Sequence, residues 1–236
     1  MPQISPDIHN LDVLAFAPRY NAALIAEFAS ACVADAPLPT VVDFGAGLGT
    51  LTGALRALSR QVIAIEPELA YHPTLSTKCD QVLVDLADLP KPVDAIFTSN
   101  VLEHIENDEA TMRALFGALK PGGRLFVYVP ALPHLFSAMD MAVGHVRRYQ
   151  KAELRTKLSA AGFTLEALEY RDCIGVAASW WLKARGNAAA HPSEGAVRFY
   201  DKWLHPVSHA LDKAGANRIA GKNLLAVAVR PNFPPA

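Results

Sequence analysis

A chain of 236 residues, 51% of them hydrophobic, is long enough to bury a substantial core as one α/β domain with insertions. Its 22 basic and 23 acidic residues nearly cancel, which argues against nucleic acid, whose partners usually carry a basic excess or stripe. Three scattered cysteines (Cys32, Cys79, Cys173) lack CxxC or metal-type spacing, and neither a leader nor a run of about 18 apolar residues is seen, so a cytoplasmic protein without an integral membrane segment is expected.

Residues 1–17 hold two prolines and no sustained period, and read as a lead-in. A helix follows from Tyr20 to about Val33, with Leu24, Ile25, Phe28 and Ala29 on one face. Val41-Val42 then run into Asp43, and Gly45, Gly47 and Gly49 alternate before a helix-compatible run, Leu51 to Leu58. This is the pattern of a buried strand, a tight turn and a new helix. Glycine serves such a turn because the backbone must take positive φ or admit a ligand closely. In the dinucleotide fingerprint the third glycine stands three residues after the second, where this chain has Thr50. No Gly-Lys-Ser/Thr follows, which excludes the Walker pattern.

The second strand, Gln61 to Ile65, closes on Glu66-Pro67. An acid about twenty residues beyond the turn, at a strand's carboxyl end, can accept from both ribose hydroxyls. The third strand, Gln81 to Val84, leads to Asp85-Leu86, with Asp88 as a nearby rival acid and a helix N-cap as the structural alternative. The fourth, Pro92 to Ser99, opens into Asn100-Val101-Leu102-Glu103-His104. Asn/Asp-Pro-Pro-Tyr/Phe is absent there, as is an acid pair of the metal-dependent catechol type, so no metal is expected. A helix over 108–119 should end at Lys120-Pro121-Gly122-Gly123, and a fifth strand should span 124–130. Residues 130–150 form an irregular insertion containing Gly144-His145-Val146-Arg147-Arg148-Tyr149. A helix (151–161) with a Glu153–Lys157 pair, a sixth strand (163–170), two helices (174–185 and 196–214) joined by a small-residue linker (186–195) and a last strand (224–229) complete the chain.

Asp43-Phe44-Gly45-Ala46-Gly47-Leu48-Gly49, Glu66, Asp85, Ser99 to His104 and Leu119 to Gly123 together resemble the class I S-adenosylmethionine-dependent methyltransferases. The nearest subgroup resembles small-molecule enzymes of the ubiquinone-biosynthesis type. The resemblance implies a Rossmann-like seven-stranded sheet, ordered 3-2-1-4-5-7-6 with the last strand antiparallel and helices on both faces. One domain would span 18–231, with substrate-cover insertions near 130–150 and 172–222 and a tail at 232–236. It implies S-adenosylmethionine held by Asp43, Gly45, Ala46, Gly47, Glu66, Pro67, Asp85, Leu86 and Asn100. Tyr20 either touches the methionine end or packs in the core.

Methyl transfer needs positioning and, for a hydroxyl acceptor, a general base. His145 and His104 are the candidates, because imidazole titrates near neutrality; His104 would alternatively cap or brace the helix after the fourth strand. Arg147 and Arg148, beside Tyr149, would fork onto a substrate carboxylate or phosphate, form a surface cluster, or pair with Glu153. Trp180 and Tyr200, with Trp181 and Trp203, would line an acceptor pocket or join the core. The expected acceptor is a small molecule with an oxygen or nitrogen nucleophile, natural products and sugar derivatives included. The expectation leaves room for a homodimer. A nicotinamide-dependent oxidoreductase and a catalytically silent cofactor-binding protein are the competing readings.

Overall fold

The computed structural model describes residues 15–33, 37–184 and 193–232. Most of the lead-in, most of the 186–195 linker, the side chain of Trp181 and the end of the tail lie outside the described residues. Seven strands form one sheet in the order β3-β2-β1-β4-β5-β7-β6: β1 (Leu38–Phe44), β2 (Ser59–Ile65), β3 (Gln81–Leu83), β4 (Val93–Ser99), β5 (Leu119–Pro130), β6 (Thr164–Arg171) and β7 (Asn223–Val229). The first five pair in parallel, and β7 runs antiparallel to both β5 and β6. The expected order holds throughout.

Continuous apolar runs such as Val62 to Ile65 and Ala95 to Phe97 are what a strand covered on both faces requires. Successive side chains enter opposite cores. Val42, Ile63, Ile96 and Val127 pack with Met112 and Leu115 of α4 (Asp108–Ala118) and Leu154 and Leu158 of α6 (Lys151–Ala160). Val41, Val62, Phe97 and Phe126 pack with Leu24 and Phe28 of α1 (Pro18–Cys32). There Phe97 stacks on Phe126 at 5.4 Å while Phe28 meets both edge-on, an aromatic arrangement that complements ring quadrupoles.

Local structure departs from expectation in two places. Beyond the glycine turn only α2 (Thr52–Leu55) is helical, because Ala57 and Leu58 donate three residues back rather than four. The fifth strand begins at Leu119, which pairs with Val93; the partner of Ala95 is then Arg124, so Lys120 to Gly123 bulge outward. Lys120 therefore pairs with Asp94 at 2.8 Å instead of sitting in a helix terminus.

The remaining helices are α3 (His72–Leu75), α5 (Ala138–Ala142), α7 (Cys173–Ala184), α8 (Glu194–Phe199) and α9 (His205–Lys213), the last two joined by a π-helical turn, Tyr200–Leu204. No helix among the described residues is long and apolar enough to cross a membrane. The three cysteines are unpaired.

Candidate active site

Strand order reverses between β1 and β4, and open α/β sheets bind ligands at the carboxyl ends of the strands at such a switch point. A cavity of about 820 Å³ lies there, within the range of ligand pockets. One part of its wall is the glycine turn with the ends of β2 and β3; another is His104, Val143 and His145.

Gly45, Gly47 and Gly49 have φ of +75°, +56° and +73°, the left-handed region that favours glycine. A Cβ on Gly45 would fall 2.4 Å from Val101 Cγ2, so the turn closes directly onto the segment after β4. Glu66 is 7% exposed and accepts from Gly47 N–H at 2.7 Å and Glu68 N–H at 2.9 Å. Its carboxylate thus pins the turn to the end of β2 and keeps lone pairs for further donors. Asp43 accepts from the Thr52 hydroxyl at 2.5 Å, and burial pushes its carboxyl up to about 6.

Asp85 caps the 3₁₀ turn over Leu86–Asp88, accepting from Ala87 N–H at 2.8 Å, while its residue still lines the cavity. Its rival Asp88 turns back to the Asp85 N–H at 3.2 Å. Asn100, at φ +55°, also reaches the cavity. All nine expected cofactor residues from Asp43 to Asn100 are brought to this one wall. Tyr20 is not. It is hydrogen-bonded to Asn100 and Tyr128 and edge-on to Tyr128 and His205.

A family model described as a methyltransferase domain matches residues 13–168, about two thirds of the chain. The chain belongs to the class I S-adenosylmethionine-dependent methyltransferases. A ubiquinone biosynthesis O-methyltransferase of Xylella fastidiosa is 30% identical over 208 residues, covering 83% of this chain and 76% of that protein. One of the same description from Xanthomonas campestris pv. campestris is 36% identical over 102 residues, 39% of this chain and 43% of its own length. The structure of a Haemonchus contortus phosphoethanolamine N-methyltransferase, in complex with S-adenosylmethionine, superposes with a TM-score of 0.57 at 16% identity, covering 93% of this chain and 56% of that one.

The methyltransferase uses S-adenosylmethionine, and its glycine turn fits that group: Gly45 and Gly47 bring bare backbone to the cavity wall, and the acid Glu66 closes the next strand beside them. Replacing Glu66 by Ala leaves the Gly47 and Glu68 N–H groups without their acceptor. Calorimetric titration should then show cofactor affinity at least about tenfold weaker, the worth of one charge-assisted hydrogen bond. Unchanged affinity would remove Glu66 from the cofactor site.

At the other part of the wall, the insertion after β5 builds a buried ionic hub around Asp140. Asp140 is 1% exposed and accepts from His145 Nδ1 at 2.9 Å, Arg148 Nε at 2.7 Å and Ser137 N–H at 2.9 Å. Burial opposes its ionisation, yet the hydrogen bonds from His145 and Arg148 hold it well below the usual carboxylate range. With Nδ1 bound to Asp140, the Nε2 of His145 is left for the cavity and lies 3.7 Å from Glu103 Oε1. The His104 ring meets His145 edge-on at 4.8 Å. Glu103, fully buried, has no hydrogen-bond partner on another residue for either oxygen, and burial pushes its carboxyl up to about 8. Ligand atoms of Glu103, His104 and His145 lie within 4.8 Å of one another, a grouping able to hold a cation.

Five expected acceptor residues are placed elsewhere. Arg147 pairs with Asp108 at 2.7 Å, and Arg148 with Asp140. Tyr149 is fully buried, its hydroxyl donating to Asp108 at 2.7 Å. Tyr200 donates to Asp172, and Trp180 stands 65% exposed on α7. None of the five lines the cavity. Asp140, Glu103 and Val101 received no role from sequence. The signals available were a Ser137-x-x-Asp140 capping box and the five-residue spacing from Asp140 to His145.

Proposed function

We propose that this methyltransferase moves the methyl group to a hydroxyl of a small-molecule acceptor, with His145 as general base. The observation that carries the reading is the Asp140–His145 hydrogen bond beside the cavity. It selects the tautomer with the proton on Nδ1, so Nε2 is the free acceptor. That atom would take the acceptor's proton as the oxygen attacks, and the adjacent Asp140 carboxylate would stabilise the imidazolium. Bound S-adenosylmethionine supplies the electrophilic methyl carbon together with its own leaving group. Asp43, the glycine turn and Glu66 hold that group; Arg148 keeps Asp140 ionised and fixed. The O-methyltransferase description of the Xylella fastidiosa relative supports an oxygen acceptor. We read 130–150 and 172–222 as the cover that faces the acceptor.

This reading uses no metal, although Glu103, His104 and His145 are grouped as a cation site would be. His145→Ala should lower kcat by about 10² to 10⁴ with cofactor affinity retained, while a chelator leaves the wild-type rate unchanged. Full activity in the variant removes His145 as base. A rate that chelation abolishes and a divalent ion restores would assign the three residues to a cation instead.

A further inference from the structure

The helical run from Glu194 to Lys213 is amphipathic in the inverted sense. Its buried residues are polar: Asp201 (5% exposed), His205 (9%), Ser208 (0%) and Asp212 (4%). Its exposed residues include, besides charged ones, a row of large apolar side chains: Phe199 (59%), Trp203 (57%), Val207 (51%) and Leu211 (45%). A helix that only closes a fold shows the reverse pattern.

The inward face has an internal explanation. Asp201 accepts from the Arg19 and Tyr20 N–H groups in the first turn of α1, and Asp212 from the Asp172 and Cys173 N–H groups at the start of α7. Each acid meets a helix N-terminus, where unpaired donors and the helix dipole favour negative charge. Among the described residues, nothing covers the outward face. Its four residues recur every fourth position, and a four-residue step overshoots an α-helical turn by about 40°. The π-helical turn at Tyr200–Leu204 is wider and under-rotates the same step, which keeps the row on one side.

The charges decide the occupant. Lys202, Lys213 and Arg218 are exposed on or just after this run, and Glu194 is paired with Arg198. The other two acids of the run are buried. An apolar row with cationic flanks suits a surface of anionic headgroups over acyl chains. A second copy suits it less, because a two-fold interface sets the same patch against itself and brings cation onto cation. We infer that this face seats the protein on anionic phospholipid bilayers, lying along the surface.

The test is co-sedimentation with phosphatidylcholine vesicles, with and without phosphatidylglycerol, alongside light scattering of the free protein. Binding at least about tenfold tighter to the anionic vesicles, and weakened by salt, is expected. The triple variant Phe199→Ser, Val207→Ser, Leu211→Ser should lose binding with its unfolding midpoint held. Lys202→Glu, Lys213→Glu, Arg218→Glu, which leaves the apolar row intact, should weaken it on the order of a hundredfold. Wild-type protein that ignores both vesicles overturns the inference. So does a dimer in solution that the serine variant dissociates while vesicles remain unbound, since the face would then seat a second copy.

Discussion

Glu103→Gln should make the protein more stable than wild type in neutral and alkaline solution, and no more stable in acid. In the fold, burial holds the Glu103 carboxyl protonated up to about 8, whereas in the unfolded chain it ionises near 4.3. Where the folded value is the higher one, the favourable contribution is complete below the unfolded pKa and is lost as pH climbs through the folded pKa. Glutamine mimics the protonated acid at every pH. The variant should therefore match wild type at pH 4, lead by roughly 3 kcal/mol at pH 7 and lead by about 5 kcal/mol above pH 8. Urea titrations of both proteins at pH 4, 7 and 9 check this. Parallel stabilities at all three would show that the carboxylate is ionised and partnered in solution. A variant weaker than wild type whose deficit appears only with divalent ions would place a cation among Glu103, His104 and His145.

Asp140→Asn should have the opposite sign and strike stability and turnover together. The substitution keeps the shape but removes the charge facing Arg148, whose side chain is 7% exposed and bound at 2.7 Å. Breaking one half of a buried pair typically costs about 3–5 kcal/mol, because the remaining charge is left uncompensated. The amide can also present its NH₂ to His145 Nδ1, which reverses the tautomer and turns the wrong nitrogen to the cavity. A drop in kcat of two or more decades is expected, with cofactor affinity close to wild type because the polar partners of Asp140 are Ser137, His145 and Arg148 rather than residues of the glycine turn. Denaturant unfolding, steady-state rates and cofactor titration separate the two effects. Wild-type turnover in a folded variant would leave the Asp140–His145 contact a structural one only.

Much of the scaffold was legible because its signals are local. Unbroken apolar runs announce strands covered on both faces, and alternate glycines with positive φ announce the turn after β1. Glu66 and Asp85 could be placed because each ends a strand whose position is set by the same repeat. The acceptor end was harder. Arg147, Arg148 and Tyr149 read as substrate groups or a surface cluster in a loop, and Asp108 and Asp140 take them up. Those acids lie 39 and 8 residues away in sequence from Arg147 and Arg148, and no period links a loop to its ion-pair partners. Tyr200 was lost in the same way to Asp172, 28 residues upstream. The inverted helix was misjudged for another reason. Its aromatic spacing is helical whichever side is buried, and only Asp201 and Asp212, bound to the starts of α1 and α7, reveal which side faces in.

The most direct test of the proposed reaction follows the methyl group itself. Purified protein is incubated with methyl-labelled S-adenosylmethionine and a panel of hydroxylated and amino small molecules, and products are resolved by mass spectrometry. The account predicts label as a methyl ether on a small hydroxylated acceptor, formed by wild type and lost in His145→Ala. Label found on nitrogen or on a macromolecule, or no transfer to any acceptor by protein that binds the cofactor, would contradict it.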